Sequence, residues 1–114
     1  MNLFNGIPKN AVHLVGCSAK KKHNATEAGE LYEGDLFKKT VALLKQREAE
    51  WHILSAEHGL VSPRDTIEPY DTQMPTGEFD RGFWAGNVFR DLMEIHLAPG
   101  DTIVFGLAEL IGTV

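Results

Sequence analysis

The feature that most constrains the fold is an alternation of short apolar segments with longer segments of helical periodicity. Apolar runs at residues 11–15, 51–55 and 102–105 have the length of buried strands. Between them, a segment from about residue 35 to an end near 47–50 and a segment from about 80 to 97 carry apolar side chains at helical spacing. Strands that alternate with helices in this way are typical of a parallel sheet with helical crossovers. We therefore predict an α/β fold, a three-layer sandwich with a small, mostly parallel sheet in the order β-α-β-loop-α-β.

Each predicted helix has one apolar face that should pack against this sheet. Asp35 is the expected N-cap of the first helix, and Pro99-Gly100 should end the second. The buried face of the first helix is expected at Leu36, Phe37, Thr40, Val41 and Leu44. That of the second helix is expected at Trp84, Val88, Leu92 and Ile95.

Two segments lack a periodic apolar pattern, and we predict loops there. Residues 20–30 are polar and begin with three consecutive lysines. Residues 62–79 contain three prolines, and a loop of this length inside a small domain usually has a function or is disordered. Because this second loop also holds Ile67, Tyr70 and Met74, we expect it to pack on the rest of the domain.

Length, charge and composition limit the functions that fit. The 114 residues suit a single α/β domain, 1–114, in which residues 1–10 form a lead-in. A net charge of −5 argues against a protein that coats DNA non-specifically, because such binding depends on neutralising phosphates. There is no apolar run of about 20 residues, no signal-peptide pattern and a single cysteine. We therefore expect a cytoplasmic protein that does not enter a membrane.

The segment after the first strand is a candidate site, because ligands in open α/β sheets bind beyond the carboxyl ends of the strands. Cys17, Ser18 and Lys20 lie there. Small residues allow close approach to the backbone, and free N–H groups beside a lysine can hold a phosphate. We predict that these three residues contact a ligand. The alternative is a small buried thiol next to a solvated basic loop.

The segment after the second strand places Ser55, His58 and Gly59 at the same edge of the sheet. Gly59 permits a sharp turn with positive φ. Histidine is the side chain type best suited to proton transfer near neutral pH, so His58 is a candidate general acid or base. Ser55 and Gly59 are predicted ligand contacts, and His58 is a predicted catalytic residue. The alternative is a turn histidine that faces water.

Tyr70 and Asp71 lie in the proline-containing loop. A tyrosine ring can stack on a planar base, and an aspartate can accept hydrogen bonds from a base or sugar or activate a water. We predict that Tyr70 contacts the ligand and that Asp71 is catalytic, with Glu68 and Asp65 as alternative carboxylates. The alternative is an ordered surface loop in which Asp71 caps the next turn.

Neither a metal nor another cofactor is expected. The histidines form no HExxH pair, and one cysteine excludes a CxxC pair. His13 and His52 lie inside predicted strands, and Trp51 and Trp84 lie on predicted apolar faces. For all four, packing is the simpler explanation.

Several short motifs follow one another along the chain in a recognisable order. They are Gly16-Cys17-Ser18-Ala19-Lys20-Lys21, Leu31-Tyr32, Leu36-Phe37, Leu54-Ser55-Ala56-Glu57-His58-Gly59-Leu60 and Pro69-Tyr70-Asp71. The pattern resembles a family of small bacterial and phage domains with no assigned function, often annotated beside the peroxide-stress protein family. It is more distantly similar to a domain of archaeosine-forming tRNA enzymes in the uracil-DNA glycosylase-like fold group. The resemblance implies a three-layer α/β fold and a role near nucleobases or nucleic acid. It also implies a member shortened at its C-terminus.

Together these points predict a nucleobase-, nucleotide- or nucleic-acid-processing protein. One hypothesis is hydrolysis or transfer at an N-glycosidic bond, in which Asp71 activates water or stabilises a cationic sugar. Tyr70 would then stack on the base, while Ser18 and Lys20 would hold a phosphate. Two alternatives stay open. The domain is a non-catalytic module for a nucleotide or single-stranded nucleic acid, or it is a phage-type regulator that forms a homodimer or binds a protein partner.

Overall fold

The computed structural model describes residues 6–8, 10–95 and 102–106 of the chain. The strands are β1 (Val12–Gly16), β2 (Thr26–Glu27), β3 (Glu50–Ser55), β4 (Gly59–Val61), β5 (Thr66–Ile67) and β6 (Ile103–Gly106). The helices are α1 (Ala28–Leu31), α2 (Asp35–Arg47) and α3 (Glu78–Glu94). The predicted alternation is therefore confirmed for β1, α2, β3, α3 and β6.

A mixed sheet with the strand order β4-β3-β1-β6 forms the centre of the domain. β1 pairs in parallel with both β3 and β6, so the three predicted strands make up the parallel part. β4 pairs antiparallel with β3 and was not predicted, because three residues are too few to show a periodic pattern. Gly59 begins β4 with a φ of 71°, which confirms the positive φ expected there.

Helices cover both faces of this sheet, which confirms the layered α/β prediction. Val15 and Ile53 pack on the side of α1 and α2, whereas Leu14 and Leu54 pack on the side of α3. The alternation arises because successive side chains of a strand point to opposite faces. The chain that leaves β1 thus crosses one face, and the chain that leaves β3 crosses the other. Between adjacent parallel strands this arrangement opens a crevice at their carboxyl ends.

The start of α2 differs from the prediction by one residue. Gly34 is the N-cap, so Asp35 is the first helical residue rather than the cap. Leu36 is 38% exposed and Thr40 is only partly buried, because the face that meets the sheet is narrower than the apolar pattern suggests. The other predicted positions of this face are buried: Phe37, Val41 and Leu44.

The buried face of α3 follows the prediction. Val88 and Leu92 are buried, and Trp84 and Ile95 pack against the same cluster. The helix begins at Glu78, two residues before the expected start. The helix ends at Glu94, with Ile95 as its C-cap, so the predicted extension to residue 97 is wrong. Pro99-Gly100 and the tail after residue 106 lie outside the described residues.

The prediction of a loop over residues 20–30 is wrong for its second half. Thr26 and Glu27 form β2, which pairs antiparallel with β5, and α1 follows at once. A helix of one turn is too short to show a 3.6-residue period, so the pattern missed it. The β2–β5 pair joins the loop after β1 to the proline-containing loop, which explains how that second loop packs on the domain.

Two further expectations concern metals and membranes. Within the described ranges, no group of three or more histidine, cysteine, aspartate or glutamate side chains is arranged to hold a metal ion. No helix in this part of the chain has the length and apolar character needed to cross a bilayer.

His13 should make the stability of the fold depend on pH. The residue lies in β1 and is 3% exposed, and its burial lowers the pKa of the imidazole from 6.5. The charged Arg47 lowers it further. Because the unfolded chain binds a proton more readily, the stabilisation is present above pH 6.5 and is lost as the pH falls through the lower folded-state pKa.

Urea unfolding at a series of pH values tests this expectation. The unfolding midpoint of the wild type should fall below pH 6.5, and the fall should be smaller in His13→Val. His23→Gln, at an exposed position, is the control and should follow the wild type. Equal pH profiles for the wild type and His13→Val would contradict the account.

Candidate functional site

Three segments meet at the carboxyl ends of β1 and β3. They are the loop after β1, the turn that joins β3 to β4, and the end of the proline-containing loop around Tyr70. We call the hydrogen-bonded side chains of Ser55, Tyr70 and Tyr32 the hydroxyl trio. Ser55 Oγ lies 2.8 Å from Tyr70 Oη, which lies 2.7 Å from Tyr32 Oη. Tyr70 therefore ties the end of β3 to the residue that follows α1.

The hydrogen bonds of the hydroxyl trio can be assigned a direction. Ser55 Oγ accepts the backbone N–H groups of Glu57, at 3.2 Å, and His58, at 3.0 Å. These two bonds occupy both lone pairs of the hydroxyl oxygen. Ser55 must therefore donate its own proton in the bond to Tyr70. The two bonds within the trio use two of its three O–H protons. The remaining proton belongs to a tyrosine and is left for an acceptor outside the trio.

Both tyrosines of the hydroxyl trio stay protonated at neutral pH. Burial raises the pKa of Tyr70 and that of Tyr32, because a phenolate is poorly solvated there. The trio is thus a set of neutral donors and acceptors. It offers no phenolate nucleophile.

Lys21 is held against the hydroxyl trio by uncharged groups. Its Nζ lies 4.3 Å from the centre of the Tyr70 ring and 5.8 Å from that of Tyr32. The same ammonium donates a hydrogen bond to the carbonyl of Ala19, at 3.2 Å. Among the described residues, no carboxylate forms an ion pair with Lys21. The positive charge is therefore fixed in place without a counter-ion from this part of the chain.

An open depression of about 360 Å³, which we call the basic groove, lies beside this lysine. Lys21, Lys22 and His23 form one wall, and Pro69, Tyr70 and Asp71 form the other. A second depression, lined in part by Lys20 and Asn24, continues along the same basic loop. The groove thus presents cationic groups opposite a carboxylate, with an aromatic side chain between them.

The predicted ligand contacts in the loop after β1 have clear structural partners. The Ser18 hydroxyl accepts the N–H of Gly34, at 3.1 Å, and donates to the carbonyl of Lys20, at 3.0 Å. These bonds hold the loop against the start of α2. A Cβ at Gly34 would lie 2.7 Å from Ser18 Cβ, so the position requires glycine. Cys17 is half-buried and packs against the core cluster under α1 and α2.

Of the remaining predicted residues, one lines the basic groove and the others lie beneath or beside it. Asp71 is exposed and lines the basic groove, whereas Ser55 is fully buried and supports the groove from below. His58 is exposed, and its ring meets the Tyr70 ring edge-on with centroids 5.7 Å apart. Gly59 is buried at the start of β4. Of the predicted catalytic pair, Asp71 lies in the groove and His58 lies beside Tyr70.

Sequence reasoning missed three residues that shape this site. Tyr32 and Lys21 complete the hydroxyl trio and the cationic wall. Trp84 reaches from α3, on the other face of the sheet, and donates its indole N–H to the carbonyl of Ser55, at 3.0 Å. The sequence gives one signal for Tyr32. The chain has only two tyrosines, of which Tyr70 lies in a predicted site segment and Tyr32 comes just after the predicted loop over residues 20–30.

Comparison with known proteins identifies a family. Residues 12–109 match the model of a family of unknown function, DUF6884. This confirms the resemblance to a domain family with no assigned function. Nothing in the match bears on the peroxide-stress or uracil-DNA glycosylase-like similarity. Neither the curated proteins nor the solved structures give a significant match to the chain.

Proposed function

The chain belongs to the DUF6884 family of unknown function, and we propose that it binds and processes a nucleotide or a nucleic-acid strand in the basic groove. The observation that carries the proposal is the ammonium of Lys21. A cation held by a carbonyl oxygen and the faces of aromatic rings keeps its full charge. It can therefore form a charge-assisted hydrogen bond with an incoming anion.

A comparison within the chain supports this choice of groove. Another depression, of about 450 Å³, lies between α1 and α2 and is also lined by lysines. There Lys45 pairs with Glu30 at 3.2 Å, and Lys38 lies 3.9 Å from Glu33. Carboxylates thus balance the charges of Lys38 and Lys45, while Lys22 lines both depressions. The cations of the basic groove have no such partners among the described residues, so an anionic ligand is favoured there.

The two walls of the basic groove favour a ligand with both a phosphate and hydrogen-bond donors. Lys21, Lys22 and His23 suit a phosphate. Asp71 on the opposite wall repels a second anion and accepts hydrogen bonds from N–H or O–H groups. Nucleotides combine these features, because the base and sugar supply donors. Inorganic phosphate and acidic peptides fit less well.

Asp71 is the residue through which we propose processing. As a carboxylate at the mouth of the groove, it can deprotonate a water that attacks the C1′ carbon of a bound nucleotide. The C1′–N bond then breaks, its electron pair leaves with the base, and the base takes up a proton. His58 lies beside Tyr70, with ring centroids 5.7 Å apart, and is the residue that we propose supplies this proton. A uracil-DNA glycosylase-like arrangement of the layers is part of this proposal.

A thermal-shift screen of the wild type tests the binding step. The ligands are nucleobases, nucleosides, nucleoside 5′-monophosphates and short single strands. We expect the phosphate-bearing ligands to raise the melting temperature most, since a ligand at about 100 times its Kd adds roughly 2.7 kcal/mol. Nucleosides that stabilise as well as their monophosphates would contradict a phosphate site. A flat screen would contradict the function as a whole.

Product analysis then separates processing from binding. Asp71→Asn should retain ligand binding but release no free base, because an amide is not a base for water. Release of free base at the wild-type rate by Asp71→Asn would remove this residue from the mechanism. If the wild type binds the ligand but releases no product, the remaining hypothesis is the non-catalytic binding module.

A second candidate function, protein interaction, is favoured by one observation. The outer face of α3 exposes several large apolar side chains, among them Phe79 at 84%. Exposed apolar patches on small domains often mark interaction sites. This surface lies on a different element from the basic groove.

A further inference from the structure

The outer face of α3 carries large apolar side chains that the other described residues do not cover. Phe79, Phe83, Phe89 and Met93 are 84%, 67%, 65% and 59% exposed. Because an α-helix turns about 100° per residue, Phe79, Phe83 and Met93 lie on the side opposite the buried Val88 and Leu92, and Phe89 lies at the edge of that side. Most protein surfaces carry exposed apolar side chains singly, so a stripe of four large ones is unusual.

Two glycines lie within the same stripe. Gly82 and Gly86 are inside the helix, where glycine is less stable than alanine. A Cβ built at either position meets no atom of the described part of the chain within 4 Å, so packing within that part does not require glycine there. A bare backbone of this kind lets another backbone approach closely. The glycines and the exposed aromatic rings together describe a surface shaped for a second helix.

We propose that this helix is α3 of a second copy of the chain, packed antiparallel about a two-fold axis. Antiparallel packing centred on the glycines places Gly82 of one copy opposite Gly86 of the other. It also brings Phe79 of one copy next to Phe89 of the other. A two-fold axis makes every such contact occur twice, so one patch covers its own equivalent.

Charge favours the antiparallel direction. The first turn of α3 carries Glu78 and Asp80, and Arg90 lies near the other end of the helix. Its only described charged partner is the adjacent Asp91, at 3.4 Å, and it remains exposed. In this register Arg90 of one copy lies opposite Glu78 of the other, so antiparallel packing pairs opposite charges at both ends of the interface, whereas parallel packing would bring the two acidic first turns together.

The exposed area is sufficient for a weak but specific dimer. A large aromatic side chain buries about 150–250 Å², so the four exposed side chains offer roughly 500 Å² on each copy. A dimer would then bury about 1,000 Å², which is near the lower limit of specific interfaces. We therefore expect a dimer that dissociates at micromolar concentrations.

Analytical ultracentrifugation of the full chain over a range of concentrations tests the proposal. The wild type should change from monomer to dimer, and Gly86→Gln should raise the dimer dissociation constant by about tenfold because its side chain blocks the close approach. Glutamine is a better helix former than glycine, so the fold should be at least as stable. Ala42→Gln adds the same type of side chain at an exposed position of α2 and should leave the dimer unchanged.

Charge reversal tests the direction of packing. Glu78→Arg and Arg90→Glu should each weaken the dimer, and the double variant should restore it. A chain that stays monomeric at millimolar concentration, or a dimer that Gly86→Gln leaves intact, would overturn the proposal. A double variant no better than the single variants would overturn the antiparallel arrangement.

Discussion

Replacing Ser55 with alanine is expected to lower the free energy of unfolding by about 3 kcal/mol. The side chain is fully buried, and its oxygen accepts two backbone N–H groups, those of Glu57 and His58. It also donates to Tyr70, at 2.8 Å. Alanine removes all three hydrogen bonds and supplies no partner in return. Each buried group left without a partner costs about 1–3 kcal/mol. Water can reach the turn after β3 and hydrogen-bond to some of these groups, so the total loss is smaller than the sum.

Urea denaturation of two comparison variants makes this result interpretable. Tyr70→Phe removes both hydrogen bonds within the trio but keeps the two backbone bonds to Ser55, and it should cost about 2 kcal/mol. Ser62→Ala removes a hydroxyl that makes a long, exposed bond to the N–H of Arg64, and the cost should be below about 0.5 kcal/mol. A loss for Ser55→Ala no larger than that for Ser62→Ala would show that the hydroxyl trio does not hold the three segments together.

The second large effect is expected on binding. Lys21→Met should weaken the affinity for a nucleoside 5′-monophosphate by roughly 10- to 100-fold, since a hydrogen bond to a charged group contributes about 1.5–3 kcal/mol. Methionine keeps a flexible apolar stem that can pack on the Tyr70 ring. The fold should therefore lose no more than the cation–π contribution, about 1 kcal/mol.

Lys39→Met is the matched control for this charge. Lys39 is exposed on α2, away from the basic groove, so its loss changes the net charge equally without touching the site. Isothermal titration calorimetry should find Lys39→Met close to the wild type. Equal weakening in the two variants would mean that only the overall charge matters. Unchanged affinity in Lys21→Met would contradict the role given to its ammonium.

The elements that could be predicted from sequence are those long enough to show a strand-like apolar run or the 3.6-residue spacing of a helix. β1, β3 and β6 were found because their apolar runs are four or more residues long, and α2 and α3 because each spans several turns. α1, β2, β4 and β5 have two to four residues each. Their positions depend on partners distant in the chain, such as the pairing of Thr26 with Ile67. No local pattern contains that information.

The location of the candidate site could be predicted from sequence, but only some of the residues that form it could. Strand ends located the loop after β1 and the turn after β3, and Tyr70 and Asp71 were named from their chemistry. The sequence did not indicate that Tyr70 would spend its hydroxyl on Ser55 and Tyr32, since those residues are 15 and 38 positions away. Nor does a triplet of lysines indicate which one folds back onto the ring. Tertiary packing selected Lys21.

The most direct test of the central claim is a ¹H–¹⁵N correlation titration of the labelled chain with a nucleoside 5′-monophosphate. If the basic groove is the binding site, the amide signals of Lys21, Lys22 and His23 should shift with saturation, together with those of Tyr70 and Asp71. Lys21→Met should weaken the response and Lys39→Met should leave it intact. Shifts confined to α3 or to the depression between α1 and α2, or no shifts at millimolar ligand, would contradict the account.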